Sequence, residues 1–408
     1  MIRQHGILCF VQIANIIIRF FLHHHTELRF VMYLFSNLFN FSSKKLTLSL
    51  MIAILCGVSV VSNAASLTVK PGRLMGGAIQ GSPLKLTTEV TFFAGSGDKG
   101  ATEGIGSEAT FSNPIGITTD GKNLYVADTS NNKIRKIVIS TGMVTTLAGS
   151  GTKGGDDGVG TAASFNFPVG ITTDGTNLYV GDTWSQKIRK IVIATGVVTT
   201  LAGTGHKGAE EGSGTVASFS DPDGITTDGK NLYVVDSGNH KIRKITIATG
   251  AVSTLAGSGA QGKKDGTATD ASFQYPHGIT TDGTNLYVAD SWNSKIRKIV
   301  IATGVVTTIA GSGAEGALDG KGQAATFNSP NSVTTDGSSL YVSDEENNII
   351  RKIEIATGAV TTLAGSGEKA VVEGVGKAAS FNSPTGITTD GKSLYVVDKG
   401  RHLIRKIN

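Results

Sequence analysis

The chain has 408 residues and a formal net charge of +5, with 39% hydrophobic and 17% charged residues. This composition excludes a disordered protein, and the 54 glycines belong to repeated turns rather than to a low-complexity tract. Residues 1–64 carry five basic residues and one acid, so the remainder is close to neutral at about +1. Such a body offers no electrostatic footprint for nucleic acid or an anionic membrane.

The first 64 residues have the composition of a leader. Lys44 and Lys45 precede an apolar run over 46–61, and small residues follow at 62–64. This order is typical of a secretory signal. We therefore expect a signal peptide at 43–64, cleaved at its end, and an extracytoplasmic location that is periplasmic, secreted or cell-surface. An uncleaved membrane anchor is the alternative.

Residues 1–42 are apolar in composition but contain no clean run of about 18 apolar residues. We interpret them as a start codon assigned too far upstream, with a first membrane helix as the alternative. Both cysteines, Cys9 and Cys56, lie in the leader, so the expected mature chain has no disulfide and no Cys-based metal site. Residues 65–88 contain several glycines and prolines and predict a linker.

Six copies of one sequence unit follow from residue 89 onward. The phrase Gly116-Ile-Thr-Thr-Asp-Gly-Lys-Asn-Leu-Tyr-Val-Ala-Asp128 returns five more times, and its tyrosine recurs every 54 residues from Tyr125 to Tyr395. Each copy alternates short runs of strand-forming residues with Asp-Gly and Thr-Gly turns and has no helical periodicity. Four strands per copy predict an antiparallel sheet whose two faces are covered by neighbouring copies. Radial stacking predicts an all-β, six-bladed β-propeller of four-stranded antiparallel blades.

The two ends of the repeat region complement one another. The last copy stops at Asn408, after its third strand, and an isolated segment at 89–94 matches the missing fourth strand. We therefore expect the N-terminal strand to complete the sixth blade, which leaves no open edge between the first and last blades. The propeller is expected to span 89–408 as a monomer.

The copies resemble NHL repeats, a propeller family called after an Asn-His-Leu signature near the start of the third strand. Asn239-His240-Lys241-Ile242 and Arg401-His402-Leu403-Ile404 occupy that position. Pro-x-Gly-Ile and Leu-Tyr-Val-x-Asp elements match as well. The resemblance covers 89–408 and implies the propeller fold. It implies no single function, because the family includes enzymes, RNA-binding and protein-binding domains and many secreted proteins.

Residues that recur in every copy are interpreted as scaffold. An Asp that ends the second strand is expected to accept hydrogen bonds from turn N–H groups, an Arg of the third strand to pair with nearby acids, and a Phe to pack between blades. An acid before a Gly in each long loop is interpreted as part of a turn, with calcium ligation as the alternative. In the first copy these residues are Asp128, Arg135, Phe111 and Glu103.

Function is expected where the copies differ. The residues directly after each Pro should surround the mouth of the central channel; they are Ile115, Val169, Asp223, His277, Asn331 and Thr385. Asp223, His277 and Asn331 come from three successive blades and could hold a polar ligand, or a metal bound by Asp223 and His277. A solvated rim is the alternative.

The turns between the second and third strands also vary. Trp184 and Trp292 are the only tryptophans of the chain, and Glu345 and Glu346 form an acidic pair in the fifth copy. Exposed aromatic side chains on a propeller face indicate a contact with a partner or a carbohydrate. Burial against the long loops is the alternative.

These observations predict an exported, non-enzymatic binding or scaffold propeller that recognises a protein or glycan on its long-loop face. No cofactor and no nucleic acid are expected, and no membrane contact apart from an uncleaved leader. The alternative function is a metal-assisted lyase or lactonase, with a divalent metal at the mouth of the central channel.

Overall fold

The structure is a computed structural model that describes residues 83–408. The predicted signal peptide at 43–64, the interpretations of residues 1–42, both cysteines and most of the 65–88 linker lie outside the described residues. Within 83–408 the regular structure consists of β-strands and short 3-10 turns, without an α-helix. No helix in this part of the chain is long and apolar enough to cross a membrane.

Six antiparallel sheets follow the six sequence copies and are numbered here as blades 1 to 6 in chain order. The first strands lie nearest the central axis: Ile117–Thr119, Pro168–Thr173, Pro222–Thr227, Ile279–Thr281, Pro330–Thr335 and Pro384–Thr389. The second strands are Asn123–Asp128, Asn177–Asp182, Asn231–Asp236, Asn285–Asp290, Ser339–Asp344 and Leu394–Asp398. The all-β, six-bladed propeller predicted from the repeat period is confirmed.

The outer part of each blade contains a third and a fourth strand. The third strands are Lys133–Val138, Lys187–Val192, Lys241–Thr246, Lys295–Val300, Ile349–Glu354 and Leu403–Ile407. The fourth strands are Met143–Ala148, Val197–Ala202, Ala251–Ala256, Val305–Ala310, Ala359–Ala364 and, for blade 6, Glu89–Ala94.

The prediction of four strands per blade is one strand short. Each sheet has a fifth, two-residue strand on its outer edge, contributed by the long loop that enters the blade. These strands are Gly104–Ile105, Gly158–Val159, Gly212–Ser213, Gly266–Thr267, Gly320–Lys321 and Gly374–Val375. Each pairs with the fourth strand of its own blade, so it covers an edge that would otherwise present unpaired backbone groups.

Closure of the ring by the N-terminal strand is confirmed. Glu89–Ala94 pairs antiparallel with Leu403–Ile407, and Val90 lies opposite Ile407. The backbone N–H of Thr88 donates to the carbonyl of Asn408 at 2.8 Å, which continues the ladder to the last residue. The segment that precedes the first copy thereby belongs to the sheet of the last copy.

The hydrophobic core lies between the blades. One cluster combines Tyr125 and Ala127 of blade 1 with Phe165, Leu178 and Val180 of blade 2, and all of these side chains are fully buried. Every second strand is buried on both faces because a neighbouring blade covers each face. This explains why Leu-Tyr-Val runs lack the polar alternation of a half-exposed strand. The recurring Phe packs between blades, as the sequence predicted.

A buried Arg–Asp pair ties the long loop to each blade. Nη1 of Arg189 lies 2.8 Å from Oδ2 of Asp182, and both side chains are fully buried. The same guanidinium donates to the loop carbonyls of Ser164 and Asp156, while Oδ1 of Asp182 accepts the backbone N–H of Asn166. All six blades repeat this arrangement, with Arg–Asp distances from 2.6 to 3.2 Å. The expected roles of both residues are confirmed.

Packing and charge keep this pair in place. The guanidinium carbon lies 5.2 Å from the centre of the Phe165 ring, within the range of a cation–π contact. Burial raises the pKa of Asp182 to about 6 despite the neighbouring Arg, so the carboxylate remains charged at neutral pH. The loop acid Asp157 accepts from the same Arg and from Oγ1 of Thr200 on the fourth strand. This acid therefore fastens the loop to the blade.

We expect Arg189→Ala to lower the free energy of unfolding by about 3–5 kcal/mol, because it leaves a buried carboxylate and two loop carbonyls without their donor. Chemical denaturation would measure the change. Lys190→Ala is the matched control, since Lys190 is the next residue and is only half-buried. An equal, small effect of both substitutions would contradict the structural role given to the pair.

Candidate functional site

The variable positions gather at one end of the propeller. Pro222, where the first strand of blade 3 begins, pairs with Asp236, where the second strand ends. The residue after each Pro and the turn after each second strand therefore lie at the same end. We call this end the mouth face; its turns are Thr129–Asn131, Thr183–Ser185, Ser237–Asn239, Ser291–Asn293, 345–348 and Lys399–Arg401.

The channel behind the mouth face is narrow. Its cavity has a volume of about 100 Å³ and is lined by the first strands of the six blades. Binding sites for small molecules usually enclose about 300–1,000 Å³. The channel has room for water or an ion, so a larger ligand would have to lie across the mouth face rather than enter.

Asp223 and His277 form a hydrogen-bonded pair at the rim. Nδ1 of His277 lies 2.5 Å from Oδ2 of Asp223, and the two side chains are 32% and 15% exposed. Burial disfavours the charged imidazole, but the carboxylates of Asp223 and Glu345 outweigh it, so the pKa of His277 is raised. The structure thus brings these two residues together at the rim, where the imidazole keeps its proton to a higher pH than an unperturbed histidine.

Asn331 belongs to a second group of rim side chains. Its Nδ2 donates to Oε2 of Glu345 at 2.8 Å, and Nζ of Lys399 lies 3.1 Å from Oε1 of the same carboxylate. In blades 1, 2 and 4 the position of Glu345 carries a hydroxyl that donates to a Pro carbonyl of the next blade. Blades 5 and 6 replace that contact with the Glu345–Lys399 ion pair. Glu346 is more exposed and lies 3.6 Å from Lys369.

The two tryptophans are exposed on the mouth face, each beside a second aromatic ring. Trp184 is 51% exposed and stacks on Phe167 with 4.2 Å between ring centroids and 10° between ring planes. Trp292 is 62% exposed and lies 4.6 Å from the Tyr275 ring, tilted by 45°. Nζ of Lys153 lies 5.7 Å from the centre of the Trp184 ring.

Phe167 and Tyr275 were not predicted as site residues. Each residue directly precedes a Pro, whereas the rim residues predicted from the six copies directly follow that Pro. Both have a left-handed backbone, with φ of +57° and +39°. The available signal was their occurrence in the same two copies as the tryptophans.

A cross-blade hydrogen bond holds this left-handed residue. The backbone N–H of Tyr275 donates to Nδ1 of His240, and that of Asn113 donates to Nδ1 of His402. Side-chain oxygens of Asn132, Gln186 and Asn348 accept the same bond in three other blades. The signature His therefore connects adjacent blades, a role beyond the bonding within its own turn that the sequence suggested.

Metal ligands are sparse around the rim. Among residues 83–408, no three or more His, Cys, Asp or Glu side chains are grouped so that they could hold a metal ion. Asp223 and His277 are two ligand types from adjacent blades, and Nδ1 of His277 is already bonded to the carboxylate. The hydrogen bond to Asp223 leaves Nε2 as the ring nitrogen of His277 that is available to a metal.

Together, the fold and the mouth face define a six-bladed β-propeller whose constant residues maintain the blades and whose variable residues meet at one end. No family model matches the chain. It is 30% identical over 329 residues to human NHL repeat-containing protein 2. This alignment covers 70% of the present chain and 45% of the human protein. It is 33% identical over 284 residues to protein SUPPRESSOR OF QUENCHING 1, chloroplastic, from Arabidopsis thaliana.

The relatives and the six-bladed fold agree with the repeat motifs: the chain belongs to the NHL-repeat propeller family. The chain spans less than half the length of either relative, 27% of the Arabidopsis protein and 45% of the human one.

Solved structures support the same fold. Two from Bacteroides thetaiotaomicron, a protein of unknown function and an auxiliary nutrient binding protein, each have a TM-score of 0.60 over 78% of this chain. The superposed regions cover 75% and 76% of the two Bacteroides chains, respectively. Their sequence identities of 22% and 17% make this a likeness of fold alone.

The His contacts between blades predict a pH dependence of stability. Burial lowers the pKa of His240 and of His402, and Lys99 lowers that of His402 further. The unfolded chain therefore binds protons more readily, and stability is lost as the pH falls below about 6.5. Protonation of Nδ1 also removes the acceptor for the backbone N–H.

We expect the double variant His240→Asn/His402→Asn to lose less stability than the native protein between pH 7 and pH 5, because Asn serves the same contact in blades 1 and 5. Melting temperatures across this pH range would test it. Any contribution of His277 is common to both proteins and cancels in the comparison. Parallel pH profiles would show that the two contacts do not titrate as described.

Proposed function

We propose that the chain is an exported binding module without catalytic activity of its own, and that it recognises a protein or glycan through the mouth face. The observation that carries the proposal is the exposure of Trp184 and Trp292, 51% and 62%, on the face where the blades differ. Large aromatic side chains dominate the energetics of binding surfaces, and a folded protein gains nothing by leaving them in water. Export rests on the signal peptide predicted at 43–64.

The distribution of constant residues supports the same proposal. The Arg–Asp pairs, the loop acids and the inter-blade Phe residues recur in every blade and are engaged with neighbours inside the fold. None of them distinguishes one sector of the ring from another. Recognition of a particular partner requires such a distinction, and the side chains of the mouth face supply it.

We expect Trp184→Ala and Trp292→Ala together to abolish capture of the partner by the purified mature chain from its own cell envelope. Each truncation removes a large, accessible aromatic surface and should leave the melting temperature nearly unchanged. Val159→Ala is the matched control, since Val159 is 59% exposed on the outer edge of blade 2. Unchanged capture by the double variant would show that the tryptophans do not mediate binding.

A second candidate is a metal-assisted lyase or lactonase at the channel mouth, favoured by the Asp223–His277 pair. The carboxylate orients His277 through Nδ1 and raises its pKa, an arrangement suited to a general base acting through Nε2. The paired side chains come from neighbouring blades and lie beside the channel, where a small substrate could reach them.

For this candidate we expect bound divalent metal in the purified mature chain and loss of activity in His277→Ala when lactones and elimination substrates are screened. His277→Gln is the informative partner variant, because it retains a hydrogen-bonding side chain without a titrating ring. The enzyme hypothesis would be contradicted if the purified chain contained no metal and His277→Ala changed none of the screened activities.

A further inference from the structure

The aromatic pairs of the mouth face occur as complete units in alternate blades. Blade 2 has Trp184 with Phe167, and blade 4 has Trp292 with Tyr275. The other four blades have neither member: the position of the tryptophan holds Ser130, Gly238, Glu346 and Gly400, and the position before Pro holds Asn113, Asp221, Ser329 and Ser383. Because the two rings occur together or not at all, we interpret each pair as a single functional unit.

Backbone conformation shows that the fold does not require these rings. The residue before Pro is left-handed in every blade, with φ between +39° and +57°. Asn and Asp tolerate this region, whereas a bulky aromatic residue there is disfavoured. Four blades make the same bend with short polar residues. Phe167 and Tyr275 are therefore exceptions to the conformational preference of this position. Such exceptions are concentrated at functional sites.

Blade 3 separates the two pairs with small and polar groups. Gly238 replaces the tryptophan there, and a Cβ at this position would lie 2.5 Å from the Ser220 hydroxyl. Beside it, Lys207 and Asp221 form an exposed ion pair of 2.7 Å. The mouth face therefore offers two aromatic platforms joined by a low, polar surface, above a channel that has room only for water or an ion.

We propose that this surface binds a neutral oligosaccharide, which stacks one sugar ring on Trp184 and another on Trp292 and crosses blade 3 between them. This inference rests on the proposed binding function and names its ligand class. The C–H face of a sugar ring packs on an exposed indole, and the hydroxyls exchange hydrogen bonds with Lys207 and Asp221. A protein partner would favour one contiguous apolar core rather than two platforms separated by charges.

The experiment measures binding of laminarin, xylan, mannan and dextran to the purified protein. Affinity electrophoresis and titration calorimetry are the two assays. At least one of these polysaccharides should bind, and its long oligosaccharides should bind more tightly than its disaccharide. Trp184→Ala and Trp292→Ala should each weaken binding about tenfold or more, the usual effect of removing a stacking ring. Each single variant should also lose the preference for the longer chain, because only one platform remains.

Phe167→Ser and Tyr275→Ser are the discriminating variants, because serine occupies this position in blades 5 and 6. They should weaken binding while leaving the melting temperature nearly unchanged, because Ser329 and Ser383 adopt the same left-handed backbone. Val159→Ala should change neither property. No binding of any of the four polysaccharides, or binding that the tryptophan variants leave unchanged, overturns the proposal. If the tryptophans then still mediate capture of a protein, the proposed function stands without its glycan; if they mediate neither, both fail.

Discussion

The buried Arg–Asp pair is the interaction on which the rest of the structure depends. In each blade one guanidinium joins the second strand, the third strand and two carbonyls of the long loop, all away from water. Removal of two charges from water is costly, and the cost is offset only when nearly every donor and acceptor is used. The loop that contributes the fifth strand and leads into the first strand is fixed by this pair. Its tip and the turns of the mouth face are then free to vary.

The sequence period was sufficient to predict the number of blades and the closing strand. Tyr125 and its counterparts set the repeat, and the segment at 89–94 matched the missing fourth strand. The fifth strand could not be predicted, because two residues such as Gly104 and Ile105 carry no alternation of apolar and polar side chains. Pairing of Arg135 with an acid was expected. Its second role is to donate hydrogen bonds to loop carbonyls. This role depends on backbone positions, which the recurrence of an Arg in the sequence does not reveal.

The sequence predicted which side chains lie at the rim where a single position could be compared across copies, but it did not predict the aromatic pairs, which involve two positions. Asp223 and His277 hold the same place in successive blades, so their position at the rim followed from propeller topology, and the structure adds their hydrogen bond. The contacts of Phe167 and Tyr275 with the tryptophans were not predicted, because each is a single loop residue without a repeated pattern. The neighbouring tryptophan ring and the left-handed backbone are both properties of the folded chain.

The mouth face is asymmetric in spite of its nearly identical blades. Ile115 and Val169 make the rim apolar beside blades 1 and 2, whereas Asp223, His277 and Asn331 make it polar across blades 3 to 5. The aromatic pairs lie on either side of blade 3, where the rim changes character. A ligand placed across this boundary would meet stacking surfaces at both ends and hydrogen-bonding groups in the middle, which gives it a defined orientation.

The most direct test of the central claim uses the two indole N–H groups, which belong to the only tryptophans of the chain. Nuclear magnetic resonance of the labelled protein gives one indole signal for each of them. During titration with the polysaccharide that binds, we expect both signals to shift together and to saturate at the same ligand concentration. Shifts confined to other parts of the protein, with both indole signals unmoved, would contradict the assignment of the mouth face as the binding surface.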